Sequence, residues 1–301
     1  MKYLLTYSVI LLFSIQTFPN IHFVNSENDS TWDTKGVLTL NLQQVGYSNW
    51  AQGGESALSY GAVFNFTANK TTEKYLWKNN IRVGYGLIKR NGFSPRKNND
   101  LIILVSDYGR NINKNWQYSA AVDFRNQFTA GYTYTEDPIT GIEIKTLVSD
   151  IFAPGYLQSS LGITFKKSDI FSATLSPVSN KITFVLNESL SAQGKFGVTP
   201  GDKIRTQLGS SLNISYNQII MENVTVKSNM LLFGDYNNLN VWDVNYELFV
   251  DFKVNKFITT NFLLQAIYDD DIKGNNENLN ISGPALQIRH VLNLGITFNL
   301  I

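Results

Sequence analysis

From residue 36 onward the chain alternates apolar and polar side chains again and again, and no stretch repeats apolar residues at helical spacing. The clearest case is 241–254. There Trp242, Val244, Tyr246, Leu248, Val250, Phe252 and Val254 share one parity, against Asp243, Asn245, Glu247, Phe249, Asp251 and Lys253 on the other. Successive side chains of a strand point to opposite faces, so this segment has one apolar face and one that is polar except at Phe249. The pattern returns in 76–88, where Trp77, Ile81, Val83, Tyr85 and Leu87 oppose Lys78, Asn80, Arg82, Gly84 and Gly86. It returns in 204–216, and again in 288–301, where Ile288, Leu292, Leu294, Ile296, Phe298 and Leu300 oppose Arg289, Asn293, Gly295, Thr297 and Asn299.

A soluble antiparallel sandwich also alternates, so strand and connection lengths decide between it and a membrane barrel. Twelve runs emerge, near 36–46, 56–69, 74–90, 97–111, 115–134, 154–167, 169–177, 202–216, 219–236, 241–254, 257–272 and 283–301. Most exceed the roughly 5–6 residues of an ordinary strand and reach the roughly 9–11 that cross a bilayer at a tilt. Tight turns near 69–74, 111–114, 167–168, 217–218 and 255–256 alternate with mostly longer connections at 47–55, 91–96, 135–153, 178–201 and 273–282. The connection at 237–240 is short for its side. Outer-membrane barrels have short periplasmic turns and long outer loops.

With the first strand rising from the periplasm, two aromatic girdles follow. Phe66, Trp77, Tyr108, Trp116, Phe165, Tyr216, Phe252 and Phe298 fall at the inner ends, and Tyr60, Tyr85, Tyr236, Trp242 and Tyr268 at the outer ends. Composition fits. The 19 Phe, 15 Tyr and 5 Trp, with only 16% charged residues, call for a second apolar surface beyond one core. The expected fold is therefore all-β: a transmembrane, antiparallel, up-and-down barrel of about twelve strands.

Before it, Lys2 and the largely apolar run 3–18 read as a secretory signal, too short and interrupted to span a bilayer. Cleavage is expected after Ser26, within a window of 18–30, leaving 27–35 as a short periplasmic lead and 36–301 as the barrel. The absence of cysteine excludes disulfides, thiolate metal sites and a lipoprotein anchor. A net charge of +1 offers nucleic acid no global attraction.

Several short motifs resemble a Bacteroidota family known as domain of unknown function 3078. They are Asn49-Trp50-Ala51-Gln52-Gly53-Gly54-Glu55, Gly84-Tyr85-Gly86, Lys97-Asn98-Asn99-Asp100, Phe128-Thr129-Ala130-Gly131-Tyr132, Phe152-Ala153-Pro154, Leu175-Ser176-Pro177 with Lys181, and Tyr268-Asp269-Asp270-Asp271. The resemblance spans nearly the whole mature chain. At 97–100 the family's usual Lys-Thr-Asp-Asp is replaced by Lys-Asn-Asn-Asp. The resemblance implies an envelope barrel and supplies no mechanism.

With the polar faces turned inward, Lys78, Arg82, Arg125, Arg205, Lys227, Lys253 and Arg289 share the lumen with Asp107, Asp123, Asp235, Asp243, Glu247, Asp251 and Asp269. Such a set either fills a narrow lumen as paired charges or lines a mixed-charge passage for a zwitterionic or sugar-like solute. Arg205 and Lys227, on the two strands before 241–254, are expected to oppose its acidic column. Asp269, Asp270, Asp271, Asn275, Asn276 and Glu277 would suit calcium by ligand type but lack the glycine and terminal glutamate of a calcium loop, so a solvated acidic loop is expected. In the loop motif Asn49, Trp50, Gln52, Gly53 and Gly54, the glycines suit a tight hairpin cap; the alternative is a loop folded into the mouth with Trp50 as a sugar platform.

Chemistry has few candidates. His22 leaves with the signal, and His290 lies on the apolar face with Leu292, not a serine, two residues on. No cofactor or metal site is expected. The expected role is a channel or passive transporter for a small polar solute, embedded in outer-membrane lipid. The alternatives are a plugged structural or partner-binding barrel and, third, a lipid-modifying enzyme.

Overall fold

The computed structural model describes residues 32–45, 56–90, 92–271, 273–276, 281–284 and 286–300. The expected signal with His22, and the loop residues Asn49, Trp50, Gln52, Gly53 and Gly54, lie outside the described residues. In chain order the strands begin with β1 (Trp32–Val45), β2 (Ala57–Thr71), β3 (Tyr75–Arg90), β4 (Arg96–Asn111) and β5 (Trp116–Asn126). A hairpin of β6 (Gly131–Glu136) and β7 (Glu143–Ser149) precedes β8 (Gly155–Lys166) and β9 (Phe171–Phe184). A short helix α1 (Glu188–Ala192) leads to β10 (Ile204–Met221), β11 (Val224–Asp235), β12 (Asp243–Lys253) and β13 (Ile258–Tyr268). A second hairpin, β14 (Lys273–Asn276) and β15 (Ile281–Pro284), precedes β16 (Gln287–Asn299).

Among the described residues, twelve strands close into one antiparallel barrel in the order β1-β16-β13-β12-β11-β10-β9-β8-β5-β4-β3-β2. Closure is made by β1 and β16, from Val37 opposite Asn299 to Asn41 opposite Gly295. Each wall strand otherwise pairs with its neighbour in sequence once the two hairpins are set aside, so the barrel is up-and-down. Alternation puts the apolar parity outside. Leu42, Ile288 and Leu292 are 63%, 62% and 66% exposed on that face, where a water-soluble barrel would show polar side chains. The aromatics of the turn end sit side by side around the rim, Trp116 with Phe165 at 5.1 Å and Tyr75 with Tyr108 at 5.6 Å between ring centroids.

Four expectations need correction. The run 115–134 ends as a wall strand at Asn126, and its continuation pairs with β7 in a hairpin, Thr133 opposite Thr146. Asp137 shapes that hairpin's turn, accepting the backbone N–H of Ile139 and of Thr140 at 2.8 Å each. Second, β9 continues to Phe184 instead of stopping at 177, across an irregularity where Leu161 faces Val178 but Ile163 faces Leu175. Pro177 lies inside it and has no N–H to give a ladder, which suits a bulge. Third, β10 runs on through Ile219, Ile220 and Met221, so the turn falls at 222–223 and not at 217–218. Fourth, β1 begins at Trp32, so 32–35 pair with 67–70 within the wall.

The conventional apolar core lies at the loop end. Ala153, Val185, Leu190 and Val198 are buried together, with Leu147 and Phe196 packed against them. The Asn187 side chain caps α1 by accepting the Ser189 and Leu190 N–H groups at 3.1 and 3.2 Å. Its Nδ2 donates to Asp150 Oδ2 at 2.9 Å, tying the β9–β10 loop to the segment before β8.

Candidate solute pathway through the lumen

The inner wall of the turn-end half is built of short polar side chains at alternate positions. Thr39 and Asn41 on β1, Asn65 and Thr67 on β2, Asn229 on β11, Asn261 on β13, and Asn293 and Thr297 on β16 all line one cavity of about 830 Å3. It reaches the turns at Asn223 and Asn255. A second cavity, of about 450 Å3, follows the opposite wall past Ser119, Gln158, Thr174 and Asn213. Asn80, Arg82, Ser215, Asn229 and Glu247 line both, so the two cavities border each other near mid-height and are together called the vestibule. Amides and hydroxyls bond across the wall, as in Asn293 Nδ2 to Asn261 Oδ1 at 2.9 Å and Asn80 Nδ2 to Asn65 Oδ1 at 2.8 Å.

Towards the loops the lumen is crossed by charged side chains. Lys181 of β9 donates to Asp243 Oδ2 of β12 at 2.6 Å and to Asp269 Oδ2, just past β13, at 2.9 Å, with β10 and β11 between. Lys181 is 9% exposed and Asp269 7%, with Asp243 half-buried beside them, and each ammonium–carboxylate pair offsets the cost of leaving water. Arg205 pairs with Asp271, and Gln207 Nε2 reaches Asp235 and Asp271 at 3.3 Å each. Burial and the neighbouring carboxylates of Asp271 and Asp269 push Asp270 above the usual carboxylate range. On the other side, Arg289 of β16 donates to Asn99 Oδ1 of β4 at 3.1 Å, over β1, β2 and β3. Room for Asn99 comes from Gly84, where a Cβ would stand 3.0 Å from Asn99 Nδ2.

Two expectations about these charges change. The acidic run 269–271 is not a solvated loop: strands β9, β10, β12 and β13 converge on it and supply Lys181 and Arg205 as partners. Arg205 does not oppose the acidic column of β12, because it is taken by Asp271; Lys181 meets Asp243 in its place. Lys227 does oppose that column, 4.0 Å from Asp251. Lys78 lines the smaller cavity and Arg82 both, and Asp123 pairs with Arg125 of its own strand at 2.9 Å. Glu247 accepts from Gln265 Nε2 at 3.3 Å. His290 faces outward opposite Leu264.

Two of the motif segments meet at the loop end. Asp100 accepts from the Phe128 and Thr129 N–H groups at 2.8 and 3.0 Å, from Thr129 Oγ1 at 2.8 Å and from Lys97 Nζ at 2.9 Å. Lys97 also donates to the Thr129 carbonyl at 2.7 Å, so the Lys-Asn-Asn-Asp and Phe-Thr-Ala-Gly-Tyr segments form one joint at the base of the β6–β7 hairpin.

Residues 42–132 match a family described as Protein of unknown function (DUF3078). The segments at 152–154, 175–181 and 268–271 lie beyond that match. No curated protein matches the chain. Among solved structures, the chain is similar to an outer membrane channel from Pseudomonas putida F1, at 9% identity and a TM-score of 0.38, over 88% of this chain and 94% of that one. It is also similar to the translocator domain of the autotransporter NalP from Neisseria meningitidis, at 10% identity and a TM-score of 0.39, over 91% and 90%. The NanC porin gives 9% identity and a TM-score of 0.38, over 88% and 98%.

Proposed function

We propose that the chain, exported by its signal peptide, is an outer-membrane barrel of a Bacteroidota envelope that passes a small polar solute passively through its lumen. Bilayer residence is supported by the apolar outer face and by wall strands long enough to span it. Closure leaves the described barrel wall without an open edge, as lipid requires. The observation that carries the transport reading is the vestibule: a cavity of about 830 Å3, walled by amides, hydroxyls and charged groups of both signs, inside a closed barrel. A barrel needed only as a scaffold gains nothing from a polar cavity of that size. The turn end is then periplasmic and the loop end external.

The second reading, a plugged structural or partner-binding barrel, is favoured by the Lys181–Asp243–Asp269 triad in the outer lumen. Under the transport reading this triad is the constriction through which solute is sieved. Lipid modification centred on His290 has less support, because Leu264 and Leu292 surround it on the outer face. Proteoliposomes test the proposal. Vesicles carrying the refolded protein should swell in an isosmotic pentose and not in an isosmotic large dextran; swelling no faster than empty vesicles would favour the plugged barrel.

A further inference from the structure

The vestibule holds a cluster that the pathway itself does not require. Among the described residues, the other lumen arginines are engaged: Arg125 by Asp123, Arg205 by Asp271 and Arg289 by Asn99. The Arg82 side chain forms no ion pair or hydrogen bond among those residues. Its guanidinium lies 5.9 Å from the centroid of the Phe249 ring, across the lumen on β12. Lys227 lies 5.9 Å from the same ring, on the paired strand β11. Phe249 is the apolar exception on the polar parity of β12, and it faces the larger cavity. A phenyl ring turned into a wet lumen is a poor structural filler; it offers a stacking face for the C–H face of a ring solute, and the two cations beside it offer counter-charge to an anionic substituent.

The surrounding charges narrow the class. Glu247 and Asp251 flank Phe249 at two residues either way on the same face, so two carboxylates stand beside the Arg82 and Lys227 cations. A doubly charged phosphate would meet both carboxylates at close range. A single carboxylate can take the free Arg82 fork in bidentate fashion, while hydroxyls of the same solute donate to Glu247 and Asp251. Asn65, Asn80 and Asn229 each offer a donor and an acceptor at the cavity wall. We propose that Arg82, Phe249 and Lys227 form a binding site in the vestibule for a monocarboxylated, polyhydroxylated ring solute, a sugar acid of the uronic type.

The site deepens the transport reading by naming its solute class, yet binding can be measured without conduction. Titration calorimetry on the refolded protein in detergent, with glucuronate, glucose and glucose 6-phosphate as separate probes, is the test. Glucuronate should bind at least about tenfold more tightly than either other sugar, the weight of one charge-assisted contact. Arg82→Gln should weaken glucuronate about tenfold or more and leave glucose unchanged, and Phe249→Leu should weaken both. Heat-modifiable gel mobility of each variant verifies the fold. Equal binding of glucose, tighter binding of glucose 6-phosphate, no glucuronate binding, or an Arg82→Gln variant that binds like the parent would overturn the assignment. A protein that binds glucuronate but passes no current would refute transport and keep the site.

Discussion

Leu292 and Asn293 are neighbours on β16 that face opposite media, and the same substitution at each should have very different effects. Leu292 stands near the middle of β16 (Gln287–Asn299), 66% exposed on the outer face. Asn293 lines the vestibule and donates to Asn261 at 2.9 Å. An arginine on the lipid face at the bilayer midplane costs about 2–4 kcal/mol, which lowers the folding constant roughly 30- to 800-fold. An arginine at 293 stays in the aqueous lumen and forfeits one amide hydrogen bond, about 1 kcal/mol or roughly fivefold. Urea unfolding of Leu292→Arg and Asn293→Arg in lipid vesicles, followed by tryptophan fluorescence, reads the difference. The expected order is a large loss for Leu292→Arg and a small one for Asn293→Arg. Equal losses, or a larger loss at 293, would refute the assignment of lipid and lumen faces.

Lys181→Met leaves the buried Asp269 and the half-buried Asp243 without their cation, so it should cost about 3–5 kcal/mol in the same unfolding assay. Replacing Lys181, Asp243 and Asp269 together with Met, Asn and Asn should recover much of that; a triple variant as unstable as the single would contradict the triad. At the β6–β7 turn, the N–H groups of Thr140 and Ile139 hold the Asp137 carboxyl below the usual range. A lowered value means the turn is stabilised at neutral pH and loses that support as pH falls through it. Amide exchange at Ile139 and Thr140 should therefore quicken in acid relative to free-peptide rates, and pH-independent protection would count against the contact.

The barrel was legible because its wall strands carry an uninterrupted parity, as β12 does from Asp243 to Lys253. Where that parity breaks, the sequence carries no local mark of the wall, for physical reasons. The irregularity around Pro177 shifts the phase of β9, which hid Lys181 from the lumen set although it is the partner of Asp243. Three successive apolar residues, Ile219, Ile220 and Met221, carry no alternation, so the end of β10 was set too early. The β6 segment alternates like a wall strand, and only its partner, β7, distinguishes a hairpin from a wall. Lys181 and Asp269 are 88 residues apart, and an acidic run gives no local sign that four strands will converge to bury it.

The most direct test of the central claim is single-channel recording on the refolded protein in a planar bilayer, with Lys181→Met beside the parent. The account predicts discrete, small ohmic steps for the parent, set by the outer constriction. For the variant, whose cross-lumen ion pairs are lost, it predicts larger steps. Silence from both, in membranes where insertion is shown by protease protection, would contradict a solute pathway through this lumen.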